Sequence, residues 1–121
     1  MIIMRGQPDF QRVKNIGKSW VHSLVVLQTT NNLLPYSRIG YVASKHIGNA
    51  VKRNRAKRLL REALFTHGRQ ILPGWDLLLI ARPAIYNYKS TDVIPAVNYL
   101  LSKAKLLIKT EKTTINEKTY T

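Results

Sequence analysis

Five consecutive apolar residues, Leu77-Leu78-Leu79-Ile80-Ala81, leave one segment of this chain with no polar face. The run is of strand length, and turn or breaker residues bound it: Pro73-Gly74 before, Pro83 after. A strand that is apolar on both sides belongs in the middle of a sheet with cover on each face. The rest of the chain must therefore supply flanking strands and helices. With 121 residues it can do so in one domain.

The neighbouring segments read accordingly. Asp9 to about Ile16 suits a short helix, with Asp9 as N-cap, Phe10 and Val13 as apolar contacts and Gly17 as its end. Val21 to Thr29, centred on Leu24-Val25-Val26-Leu27, predicts a buried strand, followed by a break at Asn31-Asn32 and Pro35. Arg38 to Ser44 alternates, with Ile39, Tyr41 and Ala43 to one side and Arg38, Gly40, Val42 and Ser44 to the other. A central helix is predicted from about Ala50 to Thr66, entered through Gly48, capped by Asn49 and closed by Gly68. Asp76 reads as a turn or cap residue ahead of the apolar strand. A last helix is predicted from Asp92 to Ile108, capped by Ser90, Thr91 or Asp92, with Pro95 tolerated in its first turn. Its Val93, Val97, Leu100, Ala104 and Leu107 face the sheet at helical spacing. The expected architecture is a single α+β domain over residues 1–108, a two-layer sandwich, with a polar tail over 109–121 expected to be disordered.

Charge narrows the function. The chain carries 20 Lys+Arg against 6 Asp+Glu, a net charge of +14 that works against its own compaction. No acidic residue lies between Asp9 and Glu62. Solvated surfaces mix both signs, so this stretch points to a polyanionic partner. Cysteine is absent, which excludes disulfides and fits a reducing compartment. The first residues lack the apolar core of a secretory signal, and no apolar run approaches the roughly 18 residues of a membrane span. A soluble, cytoplasmic protein is expected.

The central helix concentrates the excess. Ala56, Leu59, Leu60 and Ala63 gather on one side, while Asn54, Lys57, Arg58 and Arg61 fall opposite. Guanidinium forks match phosphate oxygens two at a time. Asn54 can donate and accept, as a base edge or 2′-hydroxyl requires. The helix N-terminus behind Gly48 adds backbone N–H groups for a phosphate. Seven cations between Lys45 and Arg61 face one obvious acidic partner, Glu62, four residues beyond Arg58. Phe65, one turn past Arg61, either stacks on a base or covers an edge of the core, with the core role favoured. A membrane-surface helix would expose large apolar residues, whereas this apolar side alternates Ala and Leu.

The run Gly48-Asn49-Ala50-Val51-Lys52-Arg53-Asn54-Arg55-Ala56-Lys57-Arg58 resembles the signature of the bacterial ribonuclease P protein family. Arg38 to Lys45 resembles the strand leading into that signature, Asp76 to Arg82 the strand after it, and Asp9 to Val13 with Gly17 the family's opening helix. The resemblance spans about residues 9–108 in order. It implies the order αβββαβα with a left-handed βαβ crossover through the basic helix, a fold shared with a domain of a small-subunit ribosomal protein. It implies the protein subunit of an endoribonuclease that removes the 5′ leader of precursor tRNA, with the cutting done by a catalytic RNA and its Mg²⁺. The chain would act as a monomer within that ribonucleoprotein, with no membrane or small-molecule partner. Lys45, His46, Asn49, Lys52, Arg53, Asn54, Arg55, Lys57, Arg58 and Arg61 match the surface facing the catalytic RNA. Phe10 matches an aromatic position of a cleft for the leader, where stacking without base choice suffices. Lys14 stands where relatives often carry a second aromatic, and His46 where lysine is common. Lys14 or Tyr41 is expected to compensate in the cleft.

No protein active site is expected. The acids are scattered and no two lie at a spacing that suggests a joint site; His22, His46 and His67 are equally dispersed. His46 lies in the basic patch, where it suits phosphate contact. No metal or cofactor cluster is expected on the protein. A structural RNA binder of similar fold, such as a ribosomal protein, shares the charge and size and is separated only by the ordered motif. A helix-turn-helix DNA binder lacks its preceding short helix.

Overall fold

The computed structural model describes residues 2–66 and 71–108. Gly68, expected to close the central helix, His67 and the polar tail lie outside the described residues. The elements are β1 (Ile2–Ile3), α1 (Gln7–Ile16), β2 (Lys18–Val21), β3 (Val25–Asn31), β4 (Arg38–Val42), α2 (Ala50–Phe65), β5 (Trp75–Ala81) and α3 (Ser90–Lys103). Single-turn 3₁₀ segments, Lys45–Ile47 and Pro83–Asn87, lead into α2 and follow β5. The expected order αβββαβα is met from α1 onward, with the two-residue β1 added ahead of it.

The five strands lie in the order β1-β4-β5-β3-β2. β4 runs parallel to β5, β3 antiparallel to it, and α2 makes the crossover between the parallel pair. β5 is thus the central strand. Leu77, Leu78 and Leu79 are all fully buried, and they bury against different layers. Leu77 and Leu79 join Leu27, Ile39, Leu60, Val97 and Leu100 under α2 and α3. Leu78 joins Met4 and Val13, with Phe10 packed beside them, under α1. Each such side chain contributes about 1.5–3 kcal/mol through removal from water. Period-2 alternation in β4 sends Ile39 and Tyr41 to the face of α2 and α3, and Gly40 and Val42 to the face of α1.

Several boundaries differ from the sequence reading for local reasons. Helix α1 starts at Gln7 behind Gly6, at φ 99°, so Asp9 lies in its first turn and is not the N-cap. The strand expected over Val21 to Thr29 is a hairpin: Val21 ends β2, and β3 begins at Val25. Its turn is held by His22, whose Nδ1 accepts the Leu24 N–H at 3.1 Å. Helix α3 stops at Lys103, short of Ile108. Lys105 takes φ 57° where glycine is usual, with Lys105 N donating to Ser102 O and Leu106 N to Leu101 O. That double closure ends a helix, and the chain then doubles back to bridge Leu107 to Ile71.

Candidate nucleic-acid interface

Helix α2 begins on a constructed N-terminus. Ser44 Oγ accepts the His46 N–H at 3.3 Å, and Asn49 Oδ1 accepts the Lys52 N–H at 3.0 Å, so Asn49 is the N-cap as its position suggested. Between them Gly48 sits at φ 135°, a conformation that side-chain-bearing residues rarely adopt. The apolar face of Ala56, Leu59, Leu60, Ala63 and Leu64 is buried against the sheet and α3. The opposite face is thereby turned to solvent.

The polar side chains of α2 and its entry fall into three groups. Along the open ridge, Asn54, Arg58 and Arg61 are exposed, as are Lys45 and His46 ahead of the helix. Arg61 stacks its guanidinium over Tyr41, 5.5 Å from the ring centroid. On one flank, Arg53 donates to Gly48 O at 3.0 Å, and Lys57 is half-buried. On the other, Lys52 lies 4.5 Å from the Tyr86 ring, and Arg55 donates to Tyr86 O at 3.4 Å and Tyr88 O at 2.7 Å. Arg55 therefore staples the 83–88 segment to α2. Among the described residues all ion pairs end on Asp9 or Asp76, and none lies on α2. Glu62 does not pair with Arg58; a cation N-terminal to its acid is the weaker order on a helix.

Two apolar side chains on the ridge overturn an expectation. Phe65 is 86% exposed and Val51 76%, so Phe65 covers no part of the core. The ridge offers an aromatic face beside its cations.

The second surface is the sheet face under α1. Phe10 lies across Gly40: a Cβ there would come within 2.7 Å of its ring, so only glycine admits this approach. Beyond Phe10 the sheet is covered incompletely, leaving Val26, Val42 and Ile80 half-buried and Val21 exposed. Lys14 is exposed one helical turn past Phe10. Tyr41 is not part of this face. It packs on the opposite layer, where burial pushes its hydroxyl pKa up and the Arg61 charge only partly offsets that. The structure thus joins Phe10 and Lys14 and moves Tyr41 to the α2 side.

Asp76 corrects the reading of a turn or cap residue. It lies within β5 and is fully buried. Arg38 grips it with Nε to Oδ1 at 2.8 Å and Nη2 to Oδ2 at 2.7 Å; Asn32 donates to Oδ1 at 2.9 Å, and Arg12 pairs with Oδ2. Burial alone would raise its pKa, but the bonds from Arg38, Asn32 and Arg12 and the Arg38 charge outweigh it and hold the carboxyl below its usual range. Arg38 is raised in turn, first by its bond to Asp76. An acid at the head of a fully apolar strand is the signal that could have found this cluster, since buried carboxylates require paired cations.

Among the described residues, no three His, Asp or Glu side chains come together as a metal ligand set. No helix among them is long and apolar enough to cross a membrane.

A family model for ribonuclease P matches residues 2–105. The chain belongs to the ribonuclease P protein family. Similar members are the ribonuclease P protein component of Dehalococcoides mccartyi strain CBDB1, 40% identical over 88% of this chain and 87% of that one, and that of Herpetosiphon aurantiacus, 39% identical over 85% and 84%. Among solved structures, the RNase P protein of Staphylococcus aureus superposes with a TM-score of 0.80 at 31% identity, covering 88% of this chain and 98% of that one. The Thermotoga maritima RNase P protein gives 0.73 at 28%, covering 83% and 96%. The ribonuclease P fold and function therefore hold for this chain, as a protein subunit of an endoribonuclease.

Proposed function

We propose that the chain works by binding two RNAs at once: the catalytic RNA of ribonuclease P along α2, and the 5′ leader of precursor tRNA along the α1 face of the sheet. The observation that carries this reading is the open ridge of α2, where Asn54, Arg58 and Arg61 stand in solvent with, among the described residues, no carboxylate paired to them. A folded domain gains nothing from leaving arginines unpaired on one face, whereas a phosphate backbone uses each of them. Lys45, His46, Lys52, Arg53 and Lys57 extend the same field, while Asn49 and Arg55 shape the helix and its neighbouring segment. On the other surface, Phe10 offers a ring for a leader base, Val42, Ile80 and Val26 a floor, and Lys14 a phosphate contact.

The chemistry assigned to the assembly is phosphodiester hydrolysis leaving a tRNA 5′-phosphate, with the RNA and its Mg²⁺ performing the step. Two of the protein's acids have other work: Asp76 is held by two arginines, and Asp92 accepts the Lys89 N–H at 3.0 Å at the start of α3. Neutralising RNA phosphates lets two polyanions associate and lowers the Mg²⁺ requirement. Holding the leader favours precursor over mature tRNA, which has none. We place the chain in the cytoplasm as a monomer within the ribonucleoprotein.

The test is cleavage of precursor tRNA by a bacterial ribonuclease P RNA at limiting Mg²⁺, with and without the chain. Restored cleavage at the mature 5′ end, with the chain inert alone, is expected. Binding without restored cleavage would favour a structural RNA binder, and cutting by the chain alone would reveal a protein active site.

A further inference from the structure

Neither RNA surface described above includes a further groove on this molecule. It holds about 440 Å³, within the range of small-ligand sites, and opens where β2 begins, β3 ends and α3 terminates. This corner lies toward the β2 edge of the sheet, at the end of β5 where Trp75 begins that strand. Trp20 and Trp75 line it, both half-buried, with Asn31 beside them and Lys18, Lys103 and Lys105 around them. Among the described residues no carboxylate lines it.

Each part has a simpler explanation alone, and the combination does not. Lysine in the last turn of a helix complements its dipole, which accounts for Lys103. It does not account for Lys18 on β2, or for two indoles left half open where the core could have closed over them. An apolar peptide side chain would use the indoles and waste three ammonium groups, while an acidic peptide would use the ammonium groups and waste the indoles. A nucleotide uses both, since its base presents a π-face and its phosphate a charge.

We propose that this groove is a third RNA contact, taking one nucleotide of a single strand with its base against Trp20 and Trp75 and the adjoining phosphates on Lys18, Lys103 and Lys105. The inference rests on the reading of the chain as an RNA binder and adds a site remote from α2 and from Phe10. Stacking on indole tolerates any base, so the groove selects for single-stranded character and not for sequence.

Trp20 and Trp75 are the only tryptophans in the chain, so its tryptophan emission reports on this groove alone. Titrating the full chain with a short oligouridylate should quench that emission saturably. The double variant Lys18→Gln/Lys103→Gln should weaken the quenching about tenfold and flatten its logarithmic salt dependence by roughly 1.4, the loss of two single-strand phosphate contacts. Lys89→Gln, an exposed lysine at the start of α3 outside the groove and both RNA surfaces, should leave the quenching unchanged. Oligouridylate that binds, by anisotropy of a labelled strand, without altering tryptophan emission would overturn the groove and leave the RNA-binding reading standing. Quenching that survives the double lysine variant, or disappears with Lys89→Gln, would also overturn it. No binding at all would remove both readings.

Discussion

Two regions of this molecule treat arginine in opposite ways. Under α1, Arg12 and Arg38 converge on a buried carboxylate, and Arg38 also reaches Asp9 at 3.5 Å. Along α2, Arg53, Arg58 and Arg61 have no acidic partner among the described residues, and Arg53 and Arg55 spend their donors on backbone carbonyls. Sequence alone makes these arginines look alike, all within one acid-free stretch. The structure separates them by what lies opposite. A guanidinium facing a buried acid ties elements together; one facing water has its donors available to a partner.

The sharpest way to break this contrast is to remove Asp76. Asp76→Ala leaves Arg12 and Arg38, each about a quarter to a third exposed, without their shared acid, and cuts the tie from α1 to β4 and β5. Removing one partner of a buried pair costs about 3–5 kcal/mol. Because both arginines reach some solvent, about 3 kcal/mol is expected, read from urea unfolding. The acid side of the stability profile should change too. With its folded pKa held below the unfolded value, Asp76 stabilises the fold fully above the unfolded carboxylate pKa of about 3.9, and that stabilisation is lost as pH falls through the folded pKa. The wild type should lose stability steeply below about pH 4, and Asp76→Ala should show a flatter profile there. Equal slopes would mean that Asp76 does not hold the two arginines.

What was legible in the sequence follows the same division. The all-apolar run at Leu77 to Ala81 placed the central strand, and the alternation in Arg38 to Ser44 assigned each side chain to its face, because burial imposes both patterns locally. The dry and basic faces of α2 came from helical spacing in the same way. Partners distant in sequence were not legible. Asp76 meets Arg38 across 38 positions and Arg12 across 64; its place at the head of an apolar strand calls for cations but does not say which. The expectation that Tyr41 would serve the cleft failed against its own strand parity, which already put it with Ile39 under α2. The ends of α3 and of the first hairpin were missed because Lys105 and His22 do work usually given to glycine or asparagine.

A smaller effect tests the α2 side internally, by comparing two arginines three residues apart. Arg55→Ala removes both bonds to the 86 and 88 carbonyls and should cost about 1 kcal/mol of stability, as lost charge-assisted hydrogen bonds do at a partly exposed site. Arg58→Ala touches no such contact and should move stability by less than about 0.5 kcal/mol. Its effect belongs in binding: affinity for the catalytic RNA should fall about tenfold at low salt, with the logarithmic salt slope reduced by about 1. Calorimetric melting and filter binding on the same preparations would sort the pair. If Arg58→Ala melted as early as Arg55→Ala, the ridge would be serving the fold and the contrast with Asp76 would weaken.

The smallest expected change in stability is at Phe65. A phenylalanine packed in a core costs about 3–5 kcal/mol when cut to alanine. At 86% exposure this ring has almost no surface to lose to water, so Phe65→Ala should stay within about 0.5 kcal/mol of the parent. It stands on the same open side as Arg58 and Arg61, and a stacked base is the partner that would use it. Loss of the ring should therefore weaken binding to the catalytic RNA by about 1 kcal/mol while the salt slope stays unchanged, since no charge is removed. That pairing, affinity without slope, distinguishes an aromatic contact from the phosphate contact of Arg58. A melting loss of 2 kcal/mol or more at Phe65 would place the ring in the fold after all, and the open ridge of α2 would shrink to Asn54, Arg58 and Arg61.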